Sequence, residues 1–439
     1  MKYNLLIFLS SLFVLTACSS SSEDNPEPVV SPFLVSSSPS DGDTSVKSGN
    51  ATLTLTYDQP VKLLTSHGIT LNGVLVTATA SSSSINITTI LSSGQTYELI
   101  VPKGVIQTPV GIGTKEVTII KFTTAAPTSG LSKEAQNVIN FLKENYGKKI
   151  ISGTVANVDW NVNEALWVHE QTGKYPALNG FDFISCFATW RDYTDTRVVE
   201  EWWNNNGLVT FMWHWNVPKS QGSSDYAFYT VDTNFDVTKA TVEGSYENGI
   251  VKADLKKIAG YLKLLRDKKI PILWRPLHEA KGGWFWWGAR GSTAYVALWR
   301  YMYDYFKSEG LNNLIWIYTK EPDDNAWYPG NDYVDILGRD IYNQTDNNNL
   351  KNEYNSIQNL YKDKMIAMSE CGSVSDIAAQ FETGVKWSWF MTWYDYDRTK
   401  DSSSSDFKST EHEYANADWW KKAFNSSSVI TRDQMPNLK

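Results

Sequence analysis

The chain has 439 residues, among them 19 Trp and 23 Tyr, and a formal net charge of −8. That length is more than one ordinary core fills, so at least two domains are expected. The acid excess argues against nucleic acid or an anionic membrane surface as the main partner, since both need clustered Lys and Arg, whereas flat aromatic faces with polar edges suit a protein core and a sugar ring equally.

At the N-terminus, Lys2 precedes an apolar run from Leu5 to Ala17, long enough for a secretory signal and too short for a permanent membrane span. The run closes with LTAC, which resembles a bacterial lipobox and implies that Cys18 becomes the lipidated first residue of the mature protein. Residues 1–18 are therefore the expected signal peptide. Residues 19–29 begin SSSSEDNPEP, a stretch that cannot bury apolar surface and reads as a flexible tether. Glu23-Asp24, close behind the cysteine, resembles the surface-export signals of Bacteroidetes lipoproteins. The expectation is an exported outer-membrane lipoprotein, facing the cell surface and touching the membrane only through its lipid.

From residue 30 to 124 short β-rich runs alternate at period two between turn signals, with Asn72-Gly73 marking a tight hairpin. This predicts an all-β sandwich that resembles bacterial Ig-like modules. It holds no cluster of His, Cys or aromatic residues suited to chemistry, so a spacer is favoured over a carbohydrate-binding module. AAPTSG, residues 125–130, is the expected linker.

Beyond it, residues 131–439 repeat strand and then helix. Predicted strands are 149–155, 175–183, 207–215, 270–280, 313–320, 333–342, 365–372 and 385–396, separated by amphipathic stretches such as DLKKIAGYLKLLRDKK. Eight strands over this length predict an α/β domain, a (β/α)8 TIM barrel. A doubly wound open sheet is the alternative, but no Gly-rich phosphate loop follows the first strand.

A barrel places its active site at the C-terminal strand ends, so polar residues there are the informative ones. They are His214 after the third strand, His278 and Glu279 after the fourth, Asp340 and Tyr342 on the sixth, Glu370 on the seventh, and Trp393 and Asp395 on the eighth. Two glutamates so placed are what glycoside hydrolysis needs: one acid kept protonated and one carboxylate facing the anomeric carbon. Asp340 and Arg339 are expected to form a structural or site-orienting ion pair rather than take part directly.

The stretch RPLHEAKGGWFWWG, with Glu279 inside it, resembles the acid/base segment of glycoside hydrolase family 26, and MSECG, with Glu370, resembles that family's nucleophile segment. The likeness runs from about residue 131 to the C-terminus. It implies a β-1,4-mannanase that retains anomeric configuration, with Glu279 as general acid/base and Glu370 as nucleophile. It further implies Arg275 and His278 as polar companions of the carboxylates, Tyr342 as a hydrogen-bond donor to the nucleophile, and His214 as a substrate-binding histidine. Trp284 matches an aromatic platform on the leaving-group side, and Trp393, with Trp389 as rival, a platform under the attacked sugar. Trp286 and Trp287 are expected to add to an aromatic wall beside the acid, at least one of the three serving as packing, while Gly282 and Gly283 let the backbone turn. Ala280-Lys281 departs from the family's usual Met-Asn.

The five histidines show no HExxH-type spacing, so neither a catalytic metal nor a cofactor is expected. Cys186 and Cys371 could pair in an exported protein but are expected to be buried free thiols. The implied partner is β-mannan or its oligosaccharides, bound by a monomer. Xylan or mixed β-glucan remain open as substrates, as does a surface lipoprotein that binds glycan without cutting it.

Overall fold

The computed structural model describes residues 30–47, 49–91, 95–124, 130–157, 160–186, 191–396 and 401–439. The signal, Cys18, the tether and most of the linker lie outside them. The chain divides into two compact units, Met1–Ala126 and Pro127–Lys439. No helix among the described residues is long and apolar enough to cross a membrane.

Among its described residues the first unit is all β. One antiparallel sheet orders Leu34–Ser38, Gly49–Tyr57, Ser84–Leu91 and Ala78–Ser81; the other orders Thr118–Thr123, Thr96–Val101, Thr70–Leu71 and Val74–Leu75. Period-two patterning sends Ile85 and Ile87 inward on the first sheet and Ile120 and Phe122 inward on the second, and these join one core with Leu53, Leu55 and Leu99. Asn72 and Gly73 both take positive φ, 49° and 78°, and join the Thr70–Leu71 and Val74–Leu75 strands. That is the backbone a two-residue hairpin demands and Asn-Gly tolerates best.

In the second unit eight parallel strands close on themselves among the described residues: β1 (Ile150–Val155), β2 (Leu178–Asp182), β3 (Leu208–Trp213), β4 (Ile272–Pro276), β5 (Leu314–Thr319), β6 (Ile336–Tyr342), β7 (Met365–Gly372) and β8 (Trp389–Thr392). Each pairs with the next, and β1 pairs with both β2 and β8, completing the barrel. β1, β3, β5 and β7 are buried along their whole length, as in a sheet covered on both faces. Helices cover the outside. The one over Tyr246–Asp267 begins eight residues before the predicted stretch, because Ser245 caps it through its hydroxyl to Asn248 N and Val251 extends the inward stripe of Leu255, Ile258 and Leu262.

Much of the tryptophan content goes into this packing: Trp167, Trp213, Trp274, Trp299, Trp387 and Trp420 are fully buried. Cys371 on β7 and Cys186 beyond β2 are buried free thiols. β4 and β8 are shorter than predicted, β4 stopping at Pro276 rather than running through Glu279. Leu277 and Glu279 both have left-handed backbone, φ 48° and 52°, which cannot continue a ladder.

Candidate active site

The C-terminal end of the barrel gathers the buried polar side chains. Glu370, near the end of β7, takes two charge-favouring hydrogen bonds: Tyr342 Oη donates to Oε1 at 2.7 Å, and Arg275 Nη2 donates to Oε2. The same guanidinium donates through Nη1 to Asp340 Oδ2 at 2.7 Å and to Thr319 Oγ1 at 3.3 Å. Asp340 Oδ1 in turn accepts from Ser369 Oγ at 2.7 Å. A register slip between Gly338 and Asp340 sets Asp340 opposite Glu370 in the β6–β7 ladder, turning both carboxylates to the same side. Arg339 is not the partner expected for Asp340. Its guanidinium pairs with Glu353 at 2.7 Å and reaches only the Asp340 carbonyl, because Arg275 already occupies the carboxylate.

Glu279 is placed by the turn after β4. The left-handed residues Leu277 and Glu279 bracket His278, a backbone that costs on the order of 1–3 kcal/mol each. A short 3₁₀ turn, Ala280–Gly282, follows, and Gly283 leaves it at φ 71°. A Cβ on Gly282 would lie 1.9 Å from the Trp284 ring, so the glycine pair is what lets that indole fold back. Trp284 Nε1 then donates to Glu279 Oε2 at 3.2 Å while the side chain stays 45% exposed. The long connection after β3 holds this turn from outside, with Thr230 N and Oγ1 donating to Trp284 O at 2.7 Å and Gly283 O at 2.8 Å.

Trp286 and Trp287 offer no face to a ligand, which corrects the expectation for Trp287 as a binding residue. Both are fully buried. Trp286 Nε1 donates to Trp215 O at 2.7 Å, Trp287 Nε1 to His278 O at 2.9 Å, and Trp287 stacks on Phe285. They are the packing beneath the turn. Trp389 is likewise buried in β8, leaving Trp393 half-buried with its ring 6.1 Å from His214. The Asp395 carboxylate accepts Glu413 N at 3.2 Å.

His214 Nδ1 lies 2.5 Å from Asp182 Oδ2, which fixes the proton on that nitrogen, and its Nε2 lies 3.2 Å from His278 Nε2. Burial, then the nearby Arg275 charge, lowers the pKa of His278 well below the histidine range and keeps it neutral. Sequence reasoning missed Asp182, Ser369 and Thr319. Asp182 closes β2, so the strand-end criterion applied to that strand would have found it; the other two carry no local signal.

The two glutamates titrate differently. Burial, then the charges of Asp340 and Glu370, pushes Glu279 up to about 9. Burial also raises Glu370, but Arg275 and the Tyr342 hydroxyl oppose it. Glu370 has an ionised donor and a hydroxyl to hold its charge, whereas Glu279 has one indole N–H. These surroundings favour a proton on Glu279 over one on Glu370. Glu279, Asp340 and Glu370 place carboxyl oxygens within 4.8 Å of one another, close enough to share a cation, and Arg275 already supplies positive charge to two of them.

A barrel whose C-terminal mouth sets one fixed carboxylate beside one protonated carboxyl, with an exposed indole at the rim, has the layout of a barrel glycosidase. The comparisons narrow this further. The family model for glycosyl hydrolase family 26 matches residues 128–433, and the chain belongs to that family. Mannan endo-1,4-beta-mannosidase A of Piromyces sp is 34% identical over 316 residues, covering 69% of this chain and 49% of that protein. The mannan endo-1,4-beta-mannosidase of Thermothelomyces thermophilus is 39% identical over 282 residues, 60% of this chain and 55% of its own length. The chain thus spans about half the length of the curated relatives it matches. Among solved structures, the GH26 domain of an endo-beta-mannanase/endo-beta-glucanase from Prevotella bryantii is similar with a TM-score of 0.64 at 34% identity, over 70% of this chain and 98% of that one.

Proposed function

We propose that the barrel is a retaining endo-β-1,4-mannanase that cuts mannan, galactomannan or glucomannan by double displacement. The observation that carries this reading is the placing of Glu279 and Glu370 in one bowl with carboxyl oxygens within 4.8 Å, Glu370 held by Arg275 and Tyr342 and Glu279 by a single indole N–H. That closeness supports the retaining reading, in which the two carboxyl groups stand roughly 5–5.5 Å apart, over an inverting one, in which they stand about 6.5–9.5 Å apart. Glu370 attacks the anomeric carbon while Glu279 protonates the departing oxygen. Glu279, now a carboxylate, takes a proton from the water that frees the glycosyl-enzyme. Trp284 lies beside Glu279, where the leaving sugar would stack its C–H face on the indole.

Mannan is the substrate favoured by the relatives' printed activities and by a beta-mannanase from a termite protist, complexed with gluco-manno-oligosaccharide, that is 35% identical to this chain with a TM-score of 0.60. The apolar run before Cys18 and the Glu23-Asp24 pair support export as a surface lipoprotein. The test incubates protein beginning at Ser19 with galactomannan, plain mannan, xylan and barley β-glucan, resolving products over time and following the anomer by NMR. Early mixed manno-oligosaccharides of retained configuration are expected. Mannobiose alone would make it exo-acting, inversion would overturn the mechanism, and no release from any polymer would favour a glycan-binding role. Protease shaving of intact cells, which should release the barrel, tests the location.

A further inference from the structure

Glu279 is the N-cap residue of the 3₁₀ turn Ala280–Gly282, yet its side chain makes no capping bond to that turn. An N-cap side chain ordinarily accepts the second or third N–H of the helix it opens. Glu279 cannot, because its carboxyl faces the bowl. The two N–H groups it leaves behind belong to Lys281 and Gly282, and a carboxylate from another loop stands over them: Glu321, just beyond β5, accepts Lys281 N at 2.8 Å, and the nearby Gly282 N–H also favours its charged form. The Lys281 ammonium then donates to Pro322 O, fastening the turn to the same loop a second time.

Glu321 is itself anchored. Its N–H donates to Asp324 Oδ2 at 2.8 Å and its carbonyl accepts Lys320 Nζ at 2.6 Å, while the buried Asp324 also receives Tyr318 Oη at 2.6 Å. We propose that Glu321 is a positioning residue for the acid: from the β5 loop it supplies the cap that Glu279 withholds from its own turn, and so holds the left-handed Glu279 with its carboxyl in the bowl. Its charge adds a second effect. The groups facing Glu279 are Asp340 from β6, Glu370 from β7, Arg275 from β4 and Glu321 from the β5 loop, and the negative ones favour the protonated form. The inference rests on Glu279 being the acid proposed above.

The test compares wild type, E321A and E321Q on mannopentaose and on 2,4-dinitrophenyl β-mannobioside, whose leaving group departs without a proton. In E321A, kcat/KM on mannopentaose should fall about 10- to 100-fold, within the reach of a displaced general acid, and stay within about threefold on the activated substrate. E321Q keeps an oxygen for the Lys281 N–H and should keep most of the rate, but with the charge gone the basic limb of its kcat/KM profile should move to lower pH. Equal losses on both substrates in E321A, or an unmoved basic limb in E321Q, would overturn the proposal; E321Q alone decides it where thermal melts show E321A unfolded. A wild type inert on both substrates would instead overturn the parent reading and the inference with it.

Discussion

Glu370 sits on strand β7 at its one-residue register slip, buried, with Arg275 and Tyr342 bonded to its two oxygens. Glu279 sits on a strained turn, half-buried, with one indole donor and a carboxyl pushed up to about 9. The two face one bowl and are built in opposite ways. A group that must stay charged needs strong donors on rigid elements, because burial alone would neutralise it. A group that must give and take a proton needs burial enough to favour the neutral form, weak donors, and access to water.

Removing either carboxyl is the strongest way to break this contrast. Glu370→Ala should cost at least about 10⁴-fold in kcat on every glycoside, as loss of a nucleophile does. Glu279→Ala should cost about 10²–10⁴-fold on mannan and far less in kcat/KM on a dinitrophenyl glycoside. Steady-state kinetics on the two substrates check both, and equal penalties would mean the roles are not divided.

The pH profile sharpens the contrast next. The proposed mechanism needs Glu279 protonated and Glu370 ionised, so kcat/KM should fall roughly tenfold per unit as pH rises past about 9 and fall again as pH drops through the Glu370 value, itself above the ordinary carboxylate range. Tyr342→Phe removes one of the bonds that hold the Glu370 charge. A loss of about 1.5–3 kcal/mol, roughly 10- to 100-fold in kcat, is expected, with the acidic limb moved to higher pH.

The smallest kinetic effect should come from the rim. Trp284→Ala removes a half-exposed ring and should raise KM several-fold, about 1 kcal/mol of stacking, with an unchanged melting temperature. Trp287→Ala should do the reverse, lowering stability by about 3–5 kcal/mol through the cavity it leaves. Thermal melts alongside kinetics separate the two.

Much of the architecture was legible because burial repeats at the period of the element. Alternation at period two in 30–124, and the strand-then-helix rhythm beyond, record which face of each segment is hidden, and all eight barrel strands lie within the predicted segments. Asn72-Gly73 marked its hairpin for a similarly local reason. Glu279 and Glu370 were legible for their position after apolar runs and for the motifs around them.

What stayed hidden depends on residues that only closure of the barrel brings together. Arg275 reaches Asp340 across 65 residues of chain and Glu370 across 95, so no local pattern could choose it over the adjacent Arg339. WFWWG reads as four equivalent aromatics; only the turn at Gly282-Gly283 and the floor beneath it turn Trp284 outward and bury Trp286 and Trp287. The sequence by itself determined the fold class and the family and put the two glutamates at strand ends, because these are written in periodicity and contiguous motifs. The tertiary structure decided which glutamate keeps the proton and which residues hold it there, because charge and hydrogen bonding act through space.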